Sequence, residues 1–420
     1  MSSSAPSDGT DLAATLDAVW RIEGSRVVAA LARVTGDLAE AEDLAQEALA
    51  EALSTWPTAG VPTRPGAWLT TVAKRRAIDG WRRRAALDER HRAIAHRLEH
   101  EAELAWEPIE DDLLRLVFTA CHPVLSREAR VVLTLRVVAS LSTPEIARLL
   151  LTSVPTVQQR IVRAKRTLSE ARVPFEVPDH TEWGPRLDAV LTVVYLVFTE
   201  GYAATSGDRW VRRDLADEAL RLGRVLAGLL PHEPEVHGLL ALMELQASRF
   251  AARVDDHGDP VVLADQDRRR WDHAQIARGV AALDRVDALG RGRGPYALQA
   301  AIAACHATAP DFEGTDWERI VVLYDALAQL APGPVVRLNR AAALAHLPDG
   351  LPPALAEVED LAASGALPRS HLLPSVHAEL LQRAGQDERA RQPFQEAAAL
   401  ASNERERAWL ERKAERPADA

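Results

Sequence analysis

Residues 154–170 include side chains of the kinds that bind DNA, at spacings that place them on one side of a helix. At about 100° per residue, Gln159, Arg163 and Arg166 share a face, and their neighbours flank it. Gln pairs with adenine in the major groove, and Arg pairs with guanine or with phosphate. The candidate DNA contacts are Thr156, Gln158, Gln159, Arg160, Arg163 and Arg166. An ordinary amphipathic hairpin with a solvated basic face has the same pattern, so this alternative stays open.

The elements around this stretch carry the signals needed to hold it in place. Ser153 can cap the helix, and a shorter helix before it opens with a capping box formed by Ser142 and Glu145. A third helix, from about Ser126 to Val138, would pack behind this pair. The far side of the DNA-facing helix repeats apolar residues at three- and four-residue steps, which predicts a buried stripe. That stripe consists of Val157, Ile161, Ala164 and Leu168. The sequence therefore predicts a helix-turn-helix.

A second basic cluster lies about eighty residues earlier, on a predicted helix that follows a Pro- and Gly-rich break. Trp68 and Trp81 lie among its bases. Arg beside aromatic rings suits an unstacked, single-stranded base as well as phosphate. The alternative is that the tryptophans are core residues beside a solvated charge run, and we expect this for Trp68. The bases are Lys74, Arg75, Arg76, Arg82, Arg83 and Arg84.

An acidic helix is predicted over residues 37–56. Its acids recur at three- and four-residue steps, and the opposite face is apolar. The acidic face consists of Glu40, Asp43, Glu47 and Glu51, and the apolar face of Leu38, Leu44, Ala48 and Leu49.

Charge is distributed unevenly along the chain. The whole chain carries 50 bases and 61 acids, a net charge of −11. Residues 61–100 have 10 bases and 4 acids, and residues 126–172 have 9 and 3, so both candidate DNA segments are basic. Residues 173–420, with 27 bases and 38 acids, carry the excess. Since local patches decide nucleic-acid contact, the acidic total does not argue against DNA binding.

Composition limits the other classes of function. With 47% hydrophobic and 5% aromatic residues, the 420-residue chain is predicted to be globular, helical and divided into two or three domains. Cys121 and Cys305 provide no disulfide framework, and a metal site shared by the two Cys-His pairs is disfavoured against inert packing. No signal peptide, membrane span, phosphate loop or nucleophile motif is found, so we expect a cytoplasmic protein without a cofactor or enzymatic activity.

The last 240 residues read as helix after helix, with irregular repeats. Residues 375–400 fit a tetratricopeptide-like hairpin, and Pro393 is expected to kink or shorten its second helix. A short hairpin is predicted at 253–263, and the charged run 265–272 is interpreted as structural ion pairs. The packing positions expected in the 375–400 hairpin are Ala378, Leu381, Gly385, Ala390, Phe394 and Ala397.

Several of these segments together resemble a known family. AEDLAQEAL, AWLTTVAKRRAIDGWRRR, LSREARVVLTLRVVASLSTPEIARLL and TVQQRIVRAKRTL resemble regions 2 and 4 of bacterial sigma factors of the extracytoplasmic-function type. The resemblance covers residues 12–172, with both regions in order. Residues 193–207, 252–272 and the stretch from PYALQAAIAACHA to DWERIVVLYDAL resemble the tetratricopeptide-like extension of one subgroup.

The resemblance implies roles for particular residues. Asp43, Gln46 and Glu47 would dock on the clamp helices of the β′ subunit of core RNA polymerase. Gln158, Gln159 and Arg163, with the rest of the 156–166 set, would read the −35 element of promoter DNA. The −10 element would be read and melted by Lys74, Arg75, Arg76, Asp79, Trp81, Arg82, Arg83 and Arg84. Leu151 stands where the family usually has a Gly in the turn before the recognition helix, and Arg75 stands where it usually has an Asn. The resemblance therefore implies the roles of these segments but not which bases they recognise.

The expected fold is all-α: a disordered N-terminus at 1–10, region 2 at 11–95, an acidic linker at 96–112, region 4 at 113–173 and a helical solenoid at 180–416. The protein is predicted to direct transcription initiation at promoters and to associate with the nucleoid. A protein or small-molecule regulator is expected to act through the solenoid. One alternative is a helix-turn-helix regulator whose solenoid senses a ligand or peptide. Another is a solenoid adaptor that keeps the helix-turn-helix only as a relic.

Overall fold

The regular structure of the protein is helical wherever it is described, which confirms the all-α prediction. The computed structural model describes residues 8–85, 110–150, 152–179, 181–202, 213–255, 261–368, 370–401 and 404–415. The chain divides into two compact units, Met1–Val194 and Tyr195–Ala420. Among the described residues, no helix is both long and apolar enough to cross a membrane.

Within the described residues, seven helices precede residue 171, and an eighth contains the point at which the chain divides. They are α1 (Asp8–Thr35), α2 (Leu38–Ala59), α3 (Pro65–Ala85), α4 (Glu110–Ala120), α5 (Arg127–Val137), α6 (Thr143–Leu149), α7 (Val154–Glu170) and α8 (Trp183–Tyr202). Helix α1 begins within the stretch expected to be disordered, and α4 begins within the expected linker. Residues 1–7 and 86–109 lie outside the described residues.

Side-chain caps fix where the helices of the first unit begin. The Ser153 hydroxyl accepts from the Thr156 N–H at 3.2 Å at the start of α7, as predicted. The capping box also forms, since Glu145 accepts from the Ser142 N–H at 2.8 Å. At the start of α2, Asp37 accepts from two backbone N–H groups. These caps satisfy donors that the helix itself leaves unpaired.

The core of the first unit forms around α1, which packs against α2, α3 and α4. Trp56 and Trp68 meet edge to face at 5.4 Å between α2 and α3. Trp56 is fully buried and Trp68 half-buried, so the expectation that Trp68 is a core residue holds in part. The fully buried leucines among the described residues of this unit are Leu31, Leu69, Leu116, Leu133, Leu135, Leu141 and Leu191.

The second unit is a succession of helical hairpins with three short 3₁₀ turns among them. Its helices are α9 (Arg213–Leu229), α10 (Pro234–Ala247), α11 (His273–Ala288), α12 (Pro295–Thr308), α13 (Trp317–Leu330), α14 (Pro334–Leu344), α15 (Leu351–Ala363), α16 (Leu372–Arg383), α17 (Asp387–Leu400) and α18 (Glu404–Glu415). Most contacts join helices that are neighbours in the chain, and α10 packs on both α11 and α12.

Glycines let helices approach closely around α10. A Cβ on Gly238 would lie 2.7 Å from the backbone nitrogen of Ala297 in α12. One on Gly279 of α11 would lie 2.6 Å from the Leu245 side chain. Because the atom facing Gly238 belongs to a backbone, it cannot rotate away. The spacing of α10 and α12 therefore depends on the missing side chain.

The hairpin expected over residues 375–400 forms, with two corrections. Its five non-glycine packing positions are buried, with Phe394 at 1% exposure. Gly385 is not a packing position: it adopts φ +69° in the turn, where a Cβ would contact nothing within 4 Å. Its role is conformational, because left-handed backbone favours glycine. Pro393 does not shorten α17, which continues to Leu400.

The charged run at 265–272 is structural, as interpreted. Asp267 pairs with Arg269, and Asp272 caps α11 by accepting from the Gln275 N–H. Arg268 donates to the His306 and Ala309 carbonyls and lies over the ring of Trp271, 4.5 Å from its centre. The run therefore joins α11 to the end of α12.

The hairpin predicted at 253–263 is only partly described, because residues 256–260 lie outside the described part of the chain. Val261 donates to the Arg253 carbonyl, and Val254 is a single bridge residue.

Two histidines are held neutral in the second unit. His346 stacks on Trp317 at 3.9 Å between ring centres, and His306 meets the same ring edge to face. Burial lowers the pKa of His306 to about 4, and nearby Arg249 and Arg268 act in the same direction. Burial also lowers the pKa of His346 to about 4, with a further contribution from Arg383.

Gly238→Ala should destabilise the second unit by about 1–3 kcal/mol, because the new methyl group must push α10 and α12 apart. The matched control is Gly228→Ala in α9, where a Cβ contacts nothing within 4 Å. It should leave stability unchanged or raise it by up to about 1 kcal/mol. Urea unfolding of both full-length variants gives the comparison. Equal midpoints for the two variants would contradict the close approach.

The second unit should lose stability as the pH falls from about 6.5 to about 4. In the unfolded chain His306 and His346 bind protons near pH 6.5, whereas in the folded unit they stay neutral until the pH falls to about 4. Because each histidine contributes up to about 1.4 kcal/mol per pH unit, unfolding free energies measured at several pH values should fall by up to about 2–3 kcal/mol per pH unit in this window. His346→Gln should flatten the slope, and His273→Gln, at an exposed position that starts α11, should not.

Candidate nucleic-acid interface

Helix α7 presents the predicted DNA-facing side chains to solvent. The four residues of its predicted stripe are buried, from Val157 at 0% exposure to Ile161 at 6%. Gln158, Gln159, Arg163 and Arg166 lie on the exposed side. Because the cap and the buried stripe fix the rotation of the helix, the polar face is held outward in one orientation.

The side chains of this exposed face differ in how far they are already engaged. Gln158, Gln159 and Arg163 form no hydrogen bond or ion pair with any described residue. Arg166 pairs with Glu170 at 3.4 Å on the open surface, a contact worth little. The Thr156 hydroxyl lies 2.8 Å from the Ser153 hydroxyl and belongs to the cap, and Arg160 is half-buried. The central groups are therefore the most available to a groove.

The basic helix α3 presents fewer free groups than its sequence suggests. Arg75, Asp79 and Arg82 are exposed and Lys74 is half-buried. All of these except Arg75 take part in further contacts with the chain. The side chains of Arg83 and Arg84 lie outside the described residues. Arg75 is thus the most accessible of the described bases on this helix.

Arg76 is engaged within the bundle. Its guanidinium lies 2.7 Å from a Glu51 oxygen and 3.1 Å from a Glu47 oxygen, both on α2. These hydrogen bonds raise the pKa of Arg76, and the bond to Glu51 makes the larger contribution. A residue assigned to the −10 element and one assigned to polymerase therefore pair with each other.

Trp81 is part of the core between α2 and α3. It is 3% exposed, and its indole Nε1 donates to a Glu40 oxygen at 2.9 Å. A ring in this position is not available to stack on a base, which corrects the expectation that Trp81 contacts an unstacked base. Its one polar atom has a partner, as a buried indole requires.

The acidic face of α2 contains the other predicted site. Asp43 is 76% exposed, Glu47 is 55% exposed and Gln46 is half-buried. Asp43 also lies 3.4 Å from the Lys165 amine on α7. The predicted polymerase-binding helix is therefore in contact with the predicted DNA-reading helix.

Glu42 is a residue that sequence reasoning missed. Its side chain is 6% exposed and lies between Arg136 of α5, at 2.5 Å, and Lys165 of α7, at 2.7 Å. Burial acts to raise its pKa, but attraction by Arg136 and Lys165 outweighs burial and the pKa is lowered. The signal was an acid next to Ala41 and four residues after Leu38, on the side that α2 buries.

The two cysteines are buried thiols. The Cys121 Sγ lies 3.3 Å from the Thr134 hydroxyl, and burial raises the pKa of this thiol to about 11. Burial also raises the pKa of Cys305. Within the described residues, no group of three or more His, Cys, Asp or Glu side chains is placed to hold a metal ion.

Comparison with known families matches both DNA-binding segments. Residues 20–86 match Sigma-70 region 2, and residues 115–168 match Sigma-70, region 4. Residues 186–287 match a family of unknown function, DUF6596. A protein of Rhizobium meliloti (strain 1021) with the name "Uncharacterized protein R00370" is 42% identical over 397 residues, 92% of each chain. The chain belongs to one family with this Rhizobium protein. It carries region 2 in α1–α3 and region 4 in α4–α7.

A more distant relative is a sigma factor. The "Probable ECF RNA polymerase sigma factor SigI" of Mycobacterium tuberculosis, in strains CDC 1551 / Oshkosh and H37Rv, is 28% identical over 167 residues. The match spans 39% of this chain and 57% of that factor. No solved structure gave a match. Regions 2 and 4 therefore make this a DNA-binding protein of the sigma-70 type, and the expected extension corresponds in part to DUF6596.

Proposed function

We propose that the protein is an extracytoplasmic-function sigma factor that binds core RNA polymerase and directs initiation at promoters with −35 and −10 elements. The observation that carries the proposal is the pairing of region 2 and region 4 in one chain. The exposed, unengaged Gln158, Gln159 and Arg163 on α7 support a reading role for region 4.

Region 4 is proposed to read the −35 element in the major groove. A major groove about 12 Å wide admits one α-helix, and α7 offers an exposed face with its core stripe turned away. Gln158, Gln159 and Arg163 are assigned to base edges, and Arg160 and Arg166 to phosphate. Thr156 is assigned to the DNA backbone and not to a base edge, because its hydroxyl also contacts the capping Ser153 hydroxyl.

Region 2 is proposed to bind and melt the −10 element through α3. Arg75 and Arg82 are exposed and suit phosphate or an unstacked base, and Asp79 is exposed beside them. Arg83 and Arg84 are assigned to the DNA backbone by their charge. Arg76 would have to exchange Glu47 and Glu51 for phosphate before it took part.

The acidic face of α2 is proposed to dock on the β′ clamp helices of core polymerase through Asp43, Gln46 and Glu47. Asp43 and Glu47 are exposed, which supports this assignment. The proposed domains are region 2 at 11–95, region 4 at 113–173 and the helical domain at 180–416.

The C-terminal helical unit is proposed to belong to a tetratricopeptide-like subgroup and to modulate initiation, with a protein or small-molecule regulator as its partner. Its hairpins, such as α16–α17, support a solenoid of the kind that binds peptides. The protein would act in the cytoplasm, on the nucleoid.

Purified protein with core polymerase should initiate transcription from a matching promoter well above core alone. Run-off transcription from the promoter of the chain's own gene region, compared with a scrambled promoter, is the measurement. A gel shift without core separates the main alternative, because a helix-turn-helix regulator would bind the duplex alone. Initiation no better than core alone would remove the sigma-factor proposal.

Arg163→Ala and Gln159→Ala should each cost about 1–3 kcal/mol in binding of the holoenzyme at particular −35 bases, because they remove base-edge hydrogen bonds. Competition with single-base promoter variants measures the loss. Replacing Arg82, Arg83 and Arg84 together should instead weaken binding to all sequences and flatten its salt dependence. The control is Arg172→Ala, an exposed base just beyond α7. Equal losses at every base for Arg163→Ala would contradict base reading.

A further inference from the structure

The contact between regions 2 and 4 has a buried ionic centre. Glu42 of α2 lies between Arg136 and Lys165, whose side chains are 14% and 13% exposed. Arg136 also donates to the Leu141 carbonyl at 3.0 Å, which ties it to the turn before α6. We define the latch as Glu42, Arg136 and Lys165. It joins one carboxylate of region 2 to two separate elements of region 4.

The latch is charged in the closed arrangement. Glu42 remains a carboxylate, because the two cations outweigh the effect of burial on its pKa. Lys165 Nζ lies 2.7 Å from Glu42 Oε2, and the two groups form an ion pair. Asp43 at 3.4 Å provides a second negative charge beside Lys165. With the exposed Asp43 included, two negative and two positive charges meet at this contact.

Three further polar contacts join regions 2 and 4 along the same interface, which we call the seam. Arg21 pairs with Glu145, and Arg33 of α1 lies 3.0 Å from a buried Asp112 oxygen of α4. Ser169 of α7 donates to Asp37 at 3.2 Å. Burial, more than its two arginines, sets the Asp112 pKa, which is raised. Attraction by the cations therefore outweighs burial at Glu42, whereas burial outweighs attraction at Asp112.

The closed seam conflicts with the task of reading two promoter elements together. Positions −35 and −10 are about 25 base pairs apart, or about 85 Å of duplex at 3.4 Å per step. A compact unit of about 190 residues has a radius of gyration of about 16 Å and is roughly 40 Å across. Regions in direct contact cannot reach both elements, so they must separate.

The covalent connection permits that separation. The 24 residues between α3 and α4 can span at most about 80 Å when extended. A crevice of about 260 Å³ lies along the seam, between the start of α2, the end of α7 and residues 172–175. Lys165 of the proposed DNA-reading helix lies 3.4 Å from Asp43 on the proposed polymerase-docking helix, so polymerase and region 4 would compete for Asp43.

We propose that Glu42 is the latch residue of an autoinhibited state, in which region 4 occupies α2 of region 2 until core polymerase takes its place. The proposal rests on the proposed function for the meaning of the open state. The closed state and its dependence on Glu42 can be tested without polymerase.

The first test measures closure itself. Asp37→Cys and Ser169→Cys place two thiols at a seam contact that joins side chains 3.2 Å apart. Titration of the full-length chain in glutathione buffers gives the effective concentration of this pair. Adding Glu42→Gln, which keeps the shape and removes the charge, should lower that concentration at least tenfold. Lys165→Gln should lower it as well, and the double variant should lose less than the two losses combined.

The control is Glu170→Gln, which removes a carboxylate of α7 whose partner, Arg166, lies on the same helix. It should leave the effective concentration unchanged. Circular dichroism melting checks that each variant is folded. If the Glu42→Gln and Lys165→Gln variants are folded and both keep an effective thiol concentration within twofold of the parent, the proposed role of the latch is overturned.

The second test locks the seam. The chain that carries both Asp37→Cys and Ser169→Cys should initiate transcription at least tenfold less when this thiol pair is oxidised than when it is reduced, and reductant should restore initiation. Variants with only one of the two substitutions should not respond to reductant. Equal initiation by the oxidised and reduced chains would overturn autoinhibition. If neither the reduced nor the wild-type chain initiates, the proposed function fails, while the glutathione titration still decides the latch.

Discussion

Removing a carboxylate from water is costly unless cations are buried with it, and the packing of regions 2 and 4 depends on how Glu42 meets this requirement. The two cations come from different elements of region 4, Arg136 on α5 and Lys165 on α7. Breaking one buried pair leaves an uncompensated charge, which typically costs about 3–5 kcal/mol. The Glu42 contact therefore links the two regions through charges that have to be satisfied together.

Internal pairing recurs throughout the first unit. Arg76 neutralises Glu47 and Glu51, Trp81 donates to Glu40, and Lys165 approaches Asp43. A chain that must be both acidic enough to meet polymerase and basic enough to meet DNA has opposite charges available within itself. In the compact unit these charges satisfy one another. Gln158, Gln159 and Arg163 of α7 stay exposed and without a partner in the described chain, because the core stripe holds the opposite side of the helix.

The sequence was most informative where the determinants are local. The Ser153 cap, the capping box of Ser142 and Glu145, and the stripe beginning at Val157 follow from short-range chemistry, and the structure confirms them. The partners of Glu42, Arg76 and Trp81 come from other helices, so no periodicity in the sequence could identify them. Gly385 shows a related limit, because a repeat pattern marks a position without saying whether packing or a left-handed turn requires glycine there.

Helix α7 meets several constraints at once, and these limit how its sequence can vary. Four positions fill the core, Ser153 and Thr156 form the cap, and Lys165 reaches the latch. Substitutions at any of these would disturb folding or closure before they altered any contact with a ligand. Positions 158, 159 and 163 have no such second duty within the described chain. Divergence among natural relatives in the DNA sequence they recognise should therefore be found at these three sites, while the core, cap and latch positions change slowly.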